Sequence, residues 1–169
     1  MIKGILKYAF WFGALVFLQI VVVNNIHISS YVFPFVYLLS IFILPKKIPS
    51  WLLLVIGFTI GITIDFYSNT SGIHAFATTL IAFIRNNFLD PLSPRDSNDD
   101  FEPNVHTMGL QKHAVYLFSL SFIHHLSVFY LEIFDLTFFF ETFGTVLLSS
   151  LLTVVLILVL EYIFIKKKD

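Results

Sequence analysis

The stretch GFTIGITIDFYSNTSGIHAFATTLIAFIR, residues 57–85, places two glycines, a carboxylate and a histidine inside or beside apolar runs. Gly57, Gly61 and Asp65 recur every four residues. On a helix of 3.6 residues per turn they therefore form one slowly drifting stripe of small side chains that lets another helix come close. Asp65 ends the apolar run, and the turn residues Ser68, Asn69, Thr70, Ser71 and Gly72 follow, which reads as one helix stopping and the next being capped. The stretch is predicted to be a helical hairpin with a polar tip.

Outward from this hairpin the chain is mostly hydrophobic. Of 169 residues, 57% are hydrophobic, 18% aromatic and only 12% charged, far from the roughly 25% charged residues of a soluble domain. This is the composition of a membrane protein. Six helical spans of about 20 residues would use roughly 120 residues, leaving short loops, one longer loop and no room for a soluble domain. The expected fold is all-α, a single transmembrane domain over residues 1–169. A formal net charge of −1 and the lack of a basic patch with interleaved aromatics set nucleic acid aside as a partner. The chain has no cysteine, so disulfides, thiolate catalysis and cysteine-held metal are excluded.

In chain order, Lys3 and Lys7 precede an apolar run from Tyr8 to Val23 without a small-x-small cleavage site, which reads as an uncleaved first span. A second is expected from about Ile28 or Tyr31 to Leu44, with Pro34 in its first part, ending at the breaker PKKIPS of residues 45–50. The third occupies about Trp51 to Phe66, and the fourth starts near Gly72 and ends between Arg85 and Leu89. Residues 90–110 contain three prolines, five acidic residues and no helical periodicity, and are expected to be a polar, mobile cytoplasmic loop. The fifth span is about His113 to Leu131, and the sixth about Phe138 or Phe143 to Ile165. Numbering the spans alternately puts all ten Lys and Arg residues on one side. The positive-inside rule then gives two cytoplasmic termini.

An ionised aspartate in hydrocarbon costs roughly 2.5–3.5 kcal/mol on insertion scales, so Asp65 requires a reason. At about 1.5 Å per residue from Trp51 it lies some 21 Å along its helix, near the outer interface. There it could accept hydrogen bonds from the start of the next helix, whose dipole favours an anion, or pair with His74. The favoured reading is a structural tie, with partner binding and ligand handling as alternatives. Gly57 and Gly61 serve internal packing or a partner helix. Adjacent His124 and His125 point about 100° apart and bring no HExxH or paired carboxylates, so interhelical hydrogen bonding is expected of them rather than metal. Gln19 reads as helix glue and Asn24 and Asn25 as a helix end. Glu132, Asp135 and Glu141 read as an acidic outer surface, and Glu161 is expected to meet interfacial water or a lysine. No activated nucleophile or phosphate-cradling loop assembles, so neither an enzyme nor a cofactor is expected.

The spacing of Gly57, Gly61, Asp65 and Gly72 is similar to the pattern of the MreD family of bacterial rod-shape-determining membrane proteins. The chain length, LQIVVVNN at the end of the first span, the PKKIPSW turn and the IHH segment of the fifth span resemble that family too. The resemblance implies a non-enzymatic scaffold of the cell-wall elongation complex in the bacterial cytoplasmic membrane. It would work beside an MreC-type protein, the elongation glycosyltransferase and transpeptidase, and the actin-like MreB. It also implies similarity to the six-helix substrate-binding subunits of energy-coupling-factor transporters, hence the alternative of a small-molecule-binding transport subunit. Ala9 and Gly13 faintly resemble the docking stripe of such subunits, while the short outer loops offer no obvious ligand lid. The acidic loop after Asp90 departs from the family pattern.

Overall fold

The computed structural model describes residues 2–25, 31–94, 101–134, 137 and 139–165. Its regular structure is helical: α1 Ile2–Val21, α2 Leu39–Phe42, α3 Ser50–Ser68, α4 Ile73–Leu92, α5 Val105–Met108, α6 Leu110–Ile133 and α7 Phe139–Phe164. Short 3-10 turns at Val23–Asn25 and Val36–Leu38 close α1 and lead into α2. Among the described residues, four helices are long and apolar enough to cross a membrane, over Leu6–Asn25, Ser50–Ser68, Leu110–Ile133 and Phe139–Phe164. This is a multi-pass membrane protein.

Helix boundaries follow local chemistry. Pro49, at φ −62° and ψ 140°, starts α3 by holding extended backbone just before it. Asn69 ends α3 in the left-handed conformation at φ 56°, a role that Asn tolerates better than most residues. Gly72 opens α4 at φ 86°, where a Cβ would be strained. Phe134 closes α6 at φ 45°.

Side-chain contacts fix how the segments run. In the hairpin, Gly57 lies against Thr78 and Ala82 while Gly61 lies against His74 and Ala75, so α3 and α4 are antiparallel. Helix α4 meets α6 in the same sense, because Arg85 bonds Tyr116 while His74 and His124 share Tyr37. Helix α6 meets α7 through His113 with Glu161 at one end and His125 with Thr153 towards the other. One end of the bundle thus gathers Lys7, Lys46, α5 and Glu161. The other gathers the hairpin tip, Asn24 and the ends of α6 and α7.

The expected second span is not a continuous helix. Its first residues, Ile28 to Ser30, lie outside the described residues, and 31–35 are non-helical, leading into the 3-10 turn and the four-residue α2. Pro34 explains the break, since it supplies no N–H and disfavours helical backbone in the residue before it. From Pro34 to Leu44 every residue is buried, so this segment is a central strut with the five long helices packed around it. The loop is also corrected. Helix α4 continues to Leu92 with Pro91 in its last turn, and α5 begins with a capping box in which Asn104 and Thr107 bond each other's backbone. Residues 101–110 are tied down by Lys46 N–H to Phe101 O and by buried Pro103, Asn104 and Met108, whereas 95–100 are outside the described residues.

The glycine stripe faces α4. A Cβ on Gly61 would collide with Thr78 Oγ1, Ala75 Cα and His74 O, and one on Gly57 would stand 2.9 Å from Ala82 Cβ. Gly13 has nothing within 4 Å of the same position. Gly61→Ala is therefore expected to lower stability by about 1–3 kcal/mol through overpacking, with Gly61→Leu worse. Gly13→Ala and Ile62→Leu, both on exposed positions, should leave stability close to wild type. The unfolding midpoint in detergent reads this; equal midpoints for Gly61→Ala and Gly13→Ala would contradict the packing.

Candidate functional site

Most polar side chains inside the bundle form connected groups, with the Ser40 and Ser121 hydroxyls standing apart without a partner among the described residues. At the hairpin tip, Asp65 is 2% exposed, a depth at which an unpaired carboxylate would be expensive. Its Oδ1 accepts from Thr70 Oγ1 at 2.5 Å and from the His74 N–H at 3.0 Å, and its Oδ2 from the Ala75 N–H at 2.8 Å. It therefore caps α4 from the neighbouring helix, satisfying two of the free N–H groups that any helix start leaves and meeting the positive end of the dipole. The sequence brought Asp65, Gly72 and His74 to one place, and the structure joins them through backbone. The His74 ring bonds Tyr37 in place of the carboxylate.

That ring joins a cluster around the strut. Tyr37 Oη lies 2.9 Å from His74 Nδ1 and 3.0 Å from His124 Nε2. Phe35 packs its ring on His74, His124 and His125 at centroid distances of 5.1, 5.4 and 4.7 Å. His125 sets Nδ1 2.7 Å from Ser121 O and Nε2 3.1 Å from Phe33 O. Although adjacent histidines diverge on the helix, both meet one phenylalanine supplied by the non-helical strut, His124 edge-on and His125 stacked. Among the described residues neither reaches a carboxylate.

The strut's backbone is completed by side chains. The N–H groups of Phe33, Phe35 and Val36 donate to Ser149 Oγ, Thr153 Oγ1 and Gln19 Oε1 at 3.0, 3.0 and 2.8 Å. Pro34 O accepts from Gln19 Nε2 at 3.0 Å. At the far end the fully buried Arg85 donates through Nη2 to the carbonyls of Leu44 and Phe42, and through Nε to Tyr116 Oη at 3.0 Å. No carboxylate among the described residues pairs with this guanidinium. Besides Tyr116 and Asn86 Oδ1, its partners are the carbonyls left open where α2 ends in the core.

At the lysine-bearing end, Glu161 departs from expectation. It is fully buried, and instead of water or a lysine it meets His113 Nε2 at 2.9 and 2.8 Å and accepts the Val105 N–H at 3.1 Å. That contact fastens the start of α5 to α7. Lys7 and Lys46 instead pair with Glu102 and Asp90. At the opposite end a cavity of about 510 Å³ opens between the hairpin tip, the non-helical residues and the ends of α6 and α7. Among the described residues no group of three or more His, Asp and Glu is arranged to hold a metal.

Sequence reasoning missed Tyr37, Arg85, Tyr116, Ser149 and Thr153 as members of this network, and read Arg85 as the end of a span. One signal was present. Along α7 the residues Thr142, Val146, Ser149, Thr153, Ile157 and Glu161 recur at three- and four-residue spacing and are all buried, a polar stripe on an otherwise apolar helix. Comparisons of the chain with protein-family models, curated proteins and solved structures return no match.

Substitutions at Asp65 separate a cap from a reacting group. Asp65→Asn keeps one acceptor oxygen and loses part of the cap, whereas Asp65→Leu leaves buried N–H groups unpaired at about 1–3 kcal/mol each. Stability in detergent is expected to fall in the order wild type, Asn, Leu. The amides of His74 and Ala75 should exchange faster in the same order. Unchanged exchange in Asp65→Leu would contradict the cap.

Proposed function

We propose that this protein is a non-enzymatic membrane scaffold of the MreD type, crossing the bilayer six times with both termini in the cytoplasm. In this role it holds an MreC-type protein, the elongation glycosyltransferase and transpeptidase, and actin-like MreB together in the bacterial cytoplasmic membrane, and so maintains rod shape. The observation that carries the reading is that the buried charged groups Asp65, Arg85 and Glu161 are all engaged in fastening helices and backbone. A rigid body with apolar outer faces suits a platform for other membrane helices.

The two further crossings are the strut and α4. Five non-helical residues at no more than about 3.3 Å each and seven helical ones at about 1.5–2 Å reach close to 30 Å, a bilayer core. Helix α4 is long enough at 20 residues, and its one mid-helix cation, Arg85, is turned inward. Lys7, Lys46, Lys47 and Lys112 fall at one end, which supports cytoplasmic termini. Single cysteines at Ser71 and Thr137, both exposed, are expected to label from outside intact cells, and cysteines at Lys47 and Lys112 are not. A reversal at any site would overturn the six-crossing topology. Crosslinked co-purification from detergent should recover cell-wall synthesis proteins.

The cavity favours a second reading, a small-molecule-binding subunit of a transporter. Recovery of an ATPase module in place of wall-synthesis proteins would select it.

A further inference from the structure

The cavity at the hairpin-tip end has a one-signed lining. Glu132 and Glu141 face it from the ends of α6 and α7, and none of the described residues lining it is Lys or Arg. Its aromatic wall comes from Tyr31, Phe33 and Phe129, with the Phe33 and Phe129 rings 5.8 Å apart. Carboxylates and aromatic rings lining one cavity are a combination that attracts an organic cation, because the face of an aromatic ring carries negative quadrupole density. Neither feature depends on whether the protein is a scaffold or a transport subunit.

A third group adds direction. His74 is 4% exposed yet lines the cavity, and with Nδ1 bonded to Tyr37, its Nε2 has no partner among the described residues. The Tyr37 hydroxyl can donate to only one of its two histidines. His124 Nδ1 is buried without a partner, and an unpaired acceptor is better tolerated there than an unpaired N–H. His124 therefore donates from Nε2 to Tyr37, Tyr37 donates to His74 Nδ1, and His74 carries its proton on Nε2, at the cavity. The occupant then needs an acceptor oxygen as well as a cationic group.

We propose that this cavity binds a small organic ammonium bearing an acceptor oxygen, its cationic head held by Glu132 and Glu141 against the aromatic wall and its oxygen accepting from His74. Ethanolamine-phosphate chemistry meets both demands and has two sources, a free metabolite or the headgroup of a membrane lipid.

The test uses the full chain in maltoside micelles titrated with glycerophosphoethanolamine, with glycerophosphoglycerol as a probe that keeps the phosphate and lacks the ammonium. The first is expected to bind and the second not. The Glu132→Gln/Glu141→Gln double variant, altered only at exposed positions, should keep its unfolding midpoint and lose at least about tenfold in affinity, the scale of about 1.4 kcal/mol. His74→Phe tests the oxygen contact and should weaken the same probe. Nanodiscs of phosphatidylglycerol with and without phosphatidylethanolamine then identify the source. Blocked probe binding in the mixed discs assigns the lipid headgroup, and unblocked binding assigns a free amine. Equal binding of the two probes, no binding of either, or unchanged affinity in the double variant would overturn the proposal.

Discussion

Hydrocarbon offers no hydrogen bonds, so a chain that leaves helical geometry at membrane depth must find a protein partner for every polar backbone group, each unpaired one costing several kcal/mol. The interior of the bundle imposes the same constraint, and residues 34–44 are buried there. Gln19 from α1, Arg85 from α4, Tyr116 from α6, and Ser149 and Thr153 from α7 each meet a backbone group that the strut leaves open. Four helices are thereby fixed in register against one short segment. The bundle is built around a piece of chain that could not exist there alone.

The outer surface follows from the same requirement. With polar side chains drawn inward, the helices present Phe10, Phe58, Phe83, Leu148 and Val155 outward. Helix α3 is the exception inside. It brings the strut no polar group and instead closes on α4 through Gly57 and Gly61, where side-chain bulk is absent and Asp65 caps the partner. Hairpin and strut are thus two solutions to one problem, how ends of helices are completed away from water. The proposed scaffold role draws on this, since charged groups engaged in completing backbone hold a shape and are not free to react.

The hairpin was legible because its information is local. Two glycines and an acid at four-residue spacing, followed by turn residues, specify a close helix pair whatever surrounds it. The long apolar helices were legible from composition alone. The strut was not, because its conformation depends on partners more than a hundred residues away, as with Phe33 and Ser149. Pro34 signalled a disturbance, and Gln19 in an apolar run signalled an unmet need, but nothing in either said that the two answered each other. Arg85 misled for a related reason: a cation at the end of an apolar run ordinarily marks water, and only the carbonyls of Phe42 and Leu44 explain its burial. Residues 101–110 read as loop because α5 is four residues long and held by Glu161 from α7, a contact without a sequence signature.

The claim that side chains complete the strut is tested most directly by hydrogen exchange at single amides in lipid nanodiscs. Phe33, Phe35 and Val36 lie outside any α-helix, yet their amides should be protected as strongly as those of the flanking helices. Thr153→Val, which removes the acceptor while keeping the volume, should accelerate exchange at Phe35 and leave His74 and Ala75 slow. Fast exchange at all three strut amides in the unaltered protein, or no change at Phe35 in Thr153→Val, would contradict the account.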